Sequence, residues 1–310
     1  MKIVFMGTPE FAVPSLEMLV REGYEVVAVI TQPDKPKGRG NKLTAPPVKE
    51  YALSKGIRVI QPEKVRTPEF EGLLKEIGPD LFVTVAYGRI LPKNILAVPS
   101  HGCINVHGSM LPKYRGAAPL HWAIINGEQL TGITTMYTDE GMDTGDMLLK
   151  KSIEIDPNMT VGELHDPMSL LGAEVLKETI LKLKMGTLKR TPQPNAEATY
   201  APIMGKDVGL ISWLKTSGEI HNLVRGTNPW PGAYTFYKGE RMRVWKTELI
   251  YGADCLANPG TILAVSKDGI SVSTGKGLVR IVEIQFDSSR KMTVEGYICG
   301  HRIDEGEVLG

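Results

Sequence analysis

Cysteine is scarce in this chain of 310 residues. The three cysteines are Cys103, Cys255 and Cys299, and they form no CxxC pair. A small, odd and widely spaced set argues against a disulfide framework and against a zinc site. The sequence therefore predicts a protein of a reducing compartment, the cytoplasm, without a disulfide framework or a zinc site.

Long apolar runs are also missing. A membrane-spanning helix needs about 20 consecutive apolar residues, and no stretch approaches that length. The opening run MKIVFMG is short and is followed by Thr8 and Pro9. It predicts a first strand and not a signal peptide. We expect no association with a membrane.

Neither sign of charge is in excess, because 36 Lys and Arg residues face 35 Asp and Glu residues, a formal net charge of +1. A nucleic-acid partner would have to be held by local basic patches. The phosphate-binding patterns GxGxxG and GxxxxGK[ST] do not occur, and neither does the nucleophile elbow GxSxG. Without such a nucleophile in the protein, the attacking group in an acyl transfer would be a substrate amine or water.

The first half alternates short β-branched runs with helical patterns. Strands are predicted at Lys2–Gly7, 25–32, 58–62, 81–88 and 102–108. Strands that are apolar throughout, with helices between them, indicate a parallel sheet covered on both faces. Ligands of such sheets bind at the carboxyl ends of the strands. A longer helix is predicted at 160–185, where Pro167 implies a kink or a later start.

The pattern changes after the Pro- and Thr-rich stretch GTLKRTPQPNAEATYAP, which we interpret as an interdomain linker. Beyond it, close-set strand-like runs are separated by turns such as Lys267-Asp268-Gly269. This spacing is typical of a small β-barrel. We predict an α/β domain at 1–188, a linker at 189–205 and a barrel domain at 206–310.

Asn105 and His107 flank Val106 in one predicted strand, so both side chains face the same side of the sheet. Asp143 lies in the downstream loop DEGMDTGD. An amide can donate to a developing oxyanion, an imidazole can donate or move a proton, and a carboxylate can orient the imidazole. The set suits acyl transfer without a protein nucleophile. The same residues also suit turns that satisfy local backbone groups.

Two basic clusters are candidates for phosphate contacts. Residues 32–50 form an unusually long connection, with four basic residues between glycines and prolines: Lys35, Lys37, Arg39 and Lys42. In the predicted barrel, strand alternation puts Arg241 and Arg243 on one face. Each cluster taken alone also suits a solvated surface.

The stretch NVHGSMLPKYRGAAP, followed by DTGDM, is similar to the signature of the folate-dependent formyltransferases. Four further pieces resemble the branch of that family that acts on tRNA: GTPEFA, TQPDKPKGRGNKL, TVAYGRILP and NPWPGAY. The resemblance implies a Rossmann-like formyltransferase domain followed by a small OB-like β-barrel that grips tRNA. It implies transfer of the formyl group of 10-formyltetrahydrofolate to the α-amine of methionine on initiator tRNA. Folate is then a cosubstrate, no metal is needed, and we expect a monomer.

The resemblance also implies roles for individual residues. Asn105, His107 and Asp143 match the catalytic trio. The residues that match folate contacts are Ser109, Met110, Leu111, Pro112, Tyr87, Gly88, Ile90, Leu91 and Asp139. The residues that match tRNA contacts are Lys35, Lys37, Arg39, Lys42, Lys206, Arg241 and Arg243. The chain departs from the family pattern at Pro167, Ile203 and Ser212.

Three alternatives fit parts of the pattern. One is a formyltransferase that acts on a nucleotide sugar or a purine precursor, and another is a 10-formyltetrahydrofolate hydrolase with water as acceptor. The third is a non-catalytic RNA-binding protein of the same fold. The basic insertion, the C-terminal domain and the complete trio favour formyl transfer to tRNA.

Overall fold

A computed structural model describes residues 1–37, 42–251, 257–287 and 289–310. The described residues form two compact units. Unit 1 consists of Met1–Pro119, Leu130–Ile153 and His165–Ala201. Unit 2 consists of Leu120–Gln129, Glu154–Leu164 and Pro202–Gly310. The first part of the predicted linker, up to residue 201, therefore lies within unit 1.

The described part of the first 201 residues contains eleven strands and six α-helices. The strands are β1 (Lys2–Gly7), β2 (Glu25–Ile30), β3 (Lys35–Lys37), β4 (Lys42–Thr44), β5 (Val59–Ile60), β6 (Leu81–Val85), β7 (Cys103–His107), β8 (Arg115–Gly116), β9 (Leu130–Tyr137), β10 (Met147–Glu154) and β11 (Tyr200–Ala201). The helices are α1 (Val13–Arg21), α2 (Pro47–Ser54), α3 (Pro68–Ile77), α4 (Lys93–Leu96), α5 (Pro119–Ile125) and α6 (Val161–Lys184).

Seven of these strands form one sheet in the order β10-β9-β7-β6-β1-β2-β5. The five strands β5, β2, β1, β6 and β7 run parallel, and β9 runs antiparallel to β7. All five residues of β6 are buried, as expected for a strand covered on both faces. The predicted Rossmann-like parallel sheet is confirmed. It brings the carboxyl ends of β6 and β7 side by side.

Helix α6 begins ahead of Pro167, and its start has a local cause. The hydroxyl of Thr160 accepts from the backbone N–H of Glu163, and the Glu163 carboxylate accepts from the backbone N–H of Thr160. Such a reciprocal cap satisfies two N–H groups that the first helical turn leaves without partners. Pro167 therefore lies inside the helix and does not mark its first residue.

Leaving aside residues 252–256 and 288, the remaining chain contains six strands and two α-helices. They are α7 (Ser217–Gly226), β12 (Ala233–Tyr237), β13 (Glu240–Ile250), β14 (Ile262–Ser266), β15 (Gly269–Ser273), β16 (Leu278–Phe286), β17 (Met292–Thr293) and α8 (Val294–Ile298). The strands form an antiparallel sheet in the order β12-β13-β16-β15-β14, with β17 paired to β16.

This second sheet encloses the core of unit 2. Inward residues such as Val244, Ile270, Ile281 and Phe286 are almost fully buried. In the described ranges no pairing joins β12 to β14, so the strands form an open sheet and not a closed barrel. An antiparallel-sheet domain after a parallel-sheet domain confirms the predicted fold class.

Candidate active site

The three predicted catalytic side chains meet at the carboxyl end of the unit 1 sheet. Asn105 and His107 lie on β7, and Asp143 lies in the loop between β9 and β10. Asn105 Nδ2 is 3.5 Å from Asp143 Oδ1, and His107 Nδ1 is 3.6 Å from Asp143 Oδ2. The fold thus brings one carboxylate to an amide and an imidazole from the neighbouring strand.

The amide of Asn105 has a defined orientation. Thr84 is its partner in the parallel register of β6 and β7, and its hydroxyl donates to Asn105 Oδ1 over 2.9 Å. The opposite orientation would set Oδ1 against the Asp143 carboxylate, with two acceptors facing each other. The Nδ2 donor therefore faces Asp143. Sequence reasoning missed Thr84, although it is the one polar residue in the apolar run LFVTV.

His107 is only 5% exposed, and its ring has a defined tautomer. Nε2 lies 2.9 Å from the carbonyl oxygen of Tyr114. A carbonyl can only accept, so Nε2 carries a hydrogen and donates it. Nδ1 is left facing Asp143. The arrangement therefore places Nδ1, and not Nε2, near the carboxylate.

Asp143 is held by contacts to its backbone and to its side chain. Its φ is 52°, a left-handed conformation that Asp tolerates better than most residues. The backbone N–H of Gly116 donates to Oδ2 over 2.9 Å. Two residues on, a Cβ at Gly145 would lie 1.8 Å from the carbonyl oxygen of Tyr137, so only glycine fits there. The conformation of the loop that carries Asp143 is therefore tightly constrained.

Residues 187–201, interpreted from sequence as part of a linker, run along this site. Thr191 exchanges two backbone hydrogen bonds with Met147, each 2.9 Å long. Strand β11 pairs in parallel with β8. Gln193 Nε2 donates to the carbonyl oxygens of Asp143 and Gly145, both over 2.8 Å. Sequence reasoning missed Gln193, because a segment without periodicity gives no signal of what it contacts.

The predicted folate turn after β7 is tightly bonded. Thr134 Oγ1 donates to the carbonyl of Ser109 over 2.7 Å and accepts from the backbone N–H of Leu111 over 3.1 Å. The Ser109 hydroxyl donates to the carbonyl of Lys113 over 2.6 Å, and Lys150 donates to the carbonyl of Leu111. Burial lowers the pKa of the Lys150 ammonium. Ser109 and Leu111 are buried, while Met110 is half-buried.

The second predicted folate segment divides into buried and exposed parts. The side chains of Tyr87 and Leu91 pack in the core of unit 1, and burial raises the pKa of Tyr87 to about 12. Gln32 Nε2 donates to the carbonyls of Tyr87 and Gly88 over 3.0 and 3.5 Å. Ile90 is 55% exposed. A ligand here would meet the side chain of Ile90 but only the backbone of Tyr87.

Asp139, the last predicted folate contact, supports the loop that carries Asp143. Its Oδ1 accepts from the backbone N–H of Gly141 over 3.1 Å and from the hydroxyl of Thr144 over 2.7 Å. A carboxylate that closes a turn in this way stabilises the local backbone. Its predicted contact with folate stays a prediction.

The predicted tRNA residues lie in three places. Strands β3 and β4 pair as an antiparallel hairpin that carries Lys35, Lys37 and Lys42, with Lys35 Nζ donating to Gln32 Oε1 over 3.1 Å. Arg39 lies outside the described residues. Lys206 is exposed at the start of a short 3₁₀ turn of unit 2, Lys206–Gly209.

Arg241 and Arg243 share one face of β13, on either side of the buried Met242. The guanidinium of Arg241 lies 4.1 Å from the centre of the Tyr234 ring, and that of Arg243 lies 5.9 Å from the centre of the Trp245 ring. Cations over aromatic faces hold extended side chains in place. The predicted strand alternation is therefore observed, and it creates a face that is both basic and aromatic.

Within the described ranges, no group of three or more His, Cys, Asp or Glu residues is placed to hold a metal ion. No helix of the same ranges is long and apolar enough to cross a membrane.

Comparisons with known proteins agree with this geometry. Residues 1–180 match the formyl transferase family, and residues 203–302 match the formyl transferase C-terminal domain. The methionyl-tRNA formyltransferases of Acetivibrio thermocellus and Clostridioides difficile are 64% and 55% identical to the chain over 310 residues, which is all of both chains in each comparison.

Among solved structures, the fold is similar to an N-formyltransferase from Helicobacter canadensis in complex with folinic acid and dTDP-3-aminofucose. The TM-score is 0.69 at 24% identity, and the match covers 91% of this chain and 98% of the other. At this identity the likeness concerns the fold alone. The family matches and the full-length relatives go further: this chain belongs to the formyl transferase family and, within it, to the methionyl-tRNA formyltransferases.

Proposed function

We propose that this protein transfers the formyl group of 10-formyltetrahydrofolate to the α-amine of methionine on initiator tRNA. The observation that carries the proposal is the convergence of Asn105, His107 and Asp143 at one end of the sheet. It occurs in a chain that is 64% identical over its whole length to a methionyl-tRNA formyltransferase.

The reaction exchanges one C–N bond for another. The methionine amine attacks the formyl carbon, its new C–N bond replaces the bond to N10 of the folate, and the amine proton is lost while N10 gains one. Negative charge builds on the formyl oxygen during the attack. Asn105 Nδ2, oriented by Thr84, is a neutral donor for that charge. Removing one such donor typically lowers the rate by about 10²–10³-fold.

Asp143 and His107 provide the groups for transfer of the proton that the amine loses. The Asp143 carboxylate accepts the proton that the amine loses, directly or through one water. His107, with Nε2 committed to the Tyr114 carbonyl, presents Nδ1 on the Asp143 side, where its protonated form donates to the formyl oxygen or to Asp143. Positioned proton transfer contributes roughly 10²–10⁴ in rate.

The residues of unit 1 suit a folate cosubstrate in their chemistry. The exposed apolar side chain of Ile90 suits the flat ring system. The turn at Ser109–Pro112, which two hydrogen bonds to Thr134 hold in place, would form a fixed wall for the ligand. The cosubstrate itself supplies the activated formyl group, and the chain supplies orientation, hydrogen bonds and a proton acceptor.

The tRNA would be held by the basic hairpin and by the basic and aromatic face of β13. Phosphate contacts dominate such binding and make it sensitive to salt. Arg39→Ala is expected to weaken the turnover of aminoacyl-tRNA and to spare folate binding. An equal loss of both would contradict a role of Arg39 in reading tRNA.

The test is a formyl-transfer assay with a panel of acceptors. Purified protein and 10-formyltetrahydrofolate are mixed with Met-charged initiator tRNA, Met-charged elongator tRNA, an amino-sugar nucleotide or no acceptor, beside a His107→Ala control. We expect formyl-methionine on the initiator only, and its loss in the variant. Folate turnover without an acceptor would indicate a hydrolase, and tRNA binding without turnover would indicate a non-catalytic protein.

A further inference from the structure

The side-chain amide of Gln193 bridges two carbonyls of the catalytic loop. One nitrogen, Nε2, donates to the backbone oxygens of Asp143 and Gly145, at 2.8 Å each. An amide nitrogen carries two hydrogens, so both bonds are made at once. The two carbonyls belong to the residues on either side of Thr144, and Asp143 is in a left-handed conformation. The bridge therefore fixes the backbone from which the catalytic carboxylate projects.

A buried arginine orients that amide. Arg115 is 2% exposed, and its Nε donates to Gln193 Oε1 over 2.9 Å. Its Nη2 donates to Asn195 Oδ1, also over 2.9 Å. Because the guanidinium can only donate, it selects the amide oxygen and turns the NH₂ group of Gln193 towards the loop. Arg115, Gln193 and the loop thus form one connected chain of donors and acceptors.

We propose that Gln193 is a positioning residue for Asp143, an inference that rests on the proposed function. Gln193 does not touch the reacting atoms. It acts by keeping the Asp143 carboxylate where the N–H of Gly116 meets Oδ2, with the other oxygen towards Asn105. Displacing a catalytic group by about 1 Å can lower a rate by about 100-fold. The stretch that the sequence marks as a linker then contributes directly to the geometry of the active site.

Two substitutions separate this role from simple support of Arg115. Gln193→Glu keeps an acceptor for Arg115 but has no hydrogen for the loop carbonyls, which then face a negative oxygen. Gln193→Met removes both contacts. For both variants we expect kcat to fall by about 10–100-fold, with KM for Met-tRNA within about two-fold of wild type. Asn195→Ala, which removes the other partner of Arg115, is the control and is expected to stay within about two-fold of the wild-type kcat.

A mutant cycle tests whether Gln193 acts through Asp143. In an Asp143→Asn background, Gln193→Glu is expected to cost less than about two-fold further, because residues that act as a unit are not additive. A fully additive loss would contradict the proposal. Equal activity of Gln193→Glu and wild type, with a loss in Gln193→Met alone, would also overturn it, since only the contact with Arg115 would then matter.

Amide hydrogen exchange gives a measurement that needs no activity. The N–H of Gly116 donates to Asp143 Oδ2, while the N–H of the neighbouring Ala117 donates to the carbonyl of Ala201. In Gln193→Glu we expect exchange at Gly116 to speed up by about ten-fold or more, with Ala117 unchanged. Unchanged exchange at Gly116 would overturn the positioning role. A wild type without formyl transfer would overturn the proposed function, and this measurement would still decide the role of Gln193.

Discussion

Thr84 and Asn105 are partners in register on two parallel strands, and the hydrogen bond between them helps to hold the amide Nδ2 towards Asp143. Thr84→Val keeps the shape of the side chain and removes the donor. Without that donor, only the 3.5 Å contact with Asp143 orients the amide, so its Nδ2 is held less firmly and we expect kcat to fall by about ten-fold. Thr84→Ser is the matched control and should retain the wild-type rate. Equal rates for Val and Ser in a steady-state assay would contradict this role.

Asp143 combines a left-handed backbone with a carboxylate that accepts from the N–H of Gly116. Asn tolerates the same conformation and can accept the same hydrogen bond, but it cannot take a proton. Asp143→Asn should therefore fold normally and lose about 10²–10⁴-fold in kcat. Thermal unfolding and kcat are the two measurements. A small loss of rate in a folded variant would remove Asp143 from the proton path.

His221 in α7 links the stability of unit 2 to pH. It is buried, its Nε2 donates to the carbonyl of Pro157, and its Nδ1 accepts from the Thr247 hydroxyl. Burial, with a smaller repulsion from Arg225, holds the pKa of His221 below the ordinary value of 6.5, although these hydrogen bonds and Glu248 oppose the shift.

As the pH falls below about 6.5, the unfolded chain binds a proton at this site before the folded chain does. The free energy of unfolding of unit 2 should therefore decrease from pH 7.5 to pH 5.5. The decrease should be smaller in His221→Gln than in wild type or in a control that removes the exposed His101. Urea unfolding at both pH values measures it, and identical pH dependence in all three proteins would contradict it.

At the scale of elements, the loop between β9 and β10 tolerates little change. A Cβ at Gly145 would overlap the carbonyl oxygen of Tyr137 at 1.8 Å, so Gly145→Ala must displace the loop. We expect a loss of more than about 2 kcal/mol in the free energy of unfolding. Gly72 is an exposed position in α3 where a Cβ meets nothing within 4 Å, and Gly72→Ala should stabilise by about 0.5–1 kcal/mol. Denaturant unfolding compares the two, and equal effects would contradict this view of the loop.

The sequence predicts elements best where one physical signal dominates. Runs such as LFVTV are apolar apart from one threonine, and they form the buried strands of the parallel sheet. The start of α6 followed its cap at Thr160 and not Pro167, because the two cap bonds lie ahead of the proline. Residues 187–201 carry no periodicity, and only the three-dimensional fold shows that Gln193 contacts the Asp143 loop and that β11 pairs with β8.

The arrangement of the candidate site could also be predicted only in part from the sequence. Strand alternation was enough to put Asn105 and His107 on one face, because they lie two residues apart. Their proximity to Asp143 depends on β9 lying next to β7 in the sheet. No local sequence pattern predicts that strand order. The burial of the Tyr87 side chain in the core was likewise not predictable, since an aromatic residue at a strand end suits either a ligand or the core.

For the whole molecule, a net charge of +1 means that tRNA binding must come from local patches. Arg241 and Arg243 form such a patch beside Tyr234 and Trp245. Replacing either arginine by Ala should weaken binding of Met-tRNA and lower the slope of log K against log salt by about one. Arg280, which pairs with Glu248 at 3.6 Å, is the control and should change the slope less. Filter binding at several salt concentrations measures these slopes. Equal slopes for all three variants would contradict the binding of tRNA by Arg241 and Arg243.

The most direct measurement is the single-turnover rate of formyl transfer to Met-charged initiator tRNA. It is compared among wild type, His107→Ala, Asp143→Asn and the double variant. Rapid transfer by the wild type, a large loss in each single variant and little further loss in the double variant are expected of one catalytic unit. Transfer at nearly the wild-type rate in the double variant, or a wild type that transfers no formyl group, would contradict formyl transfer by His107 and Asp143.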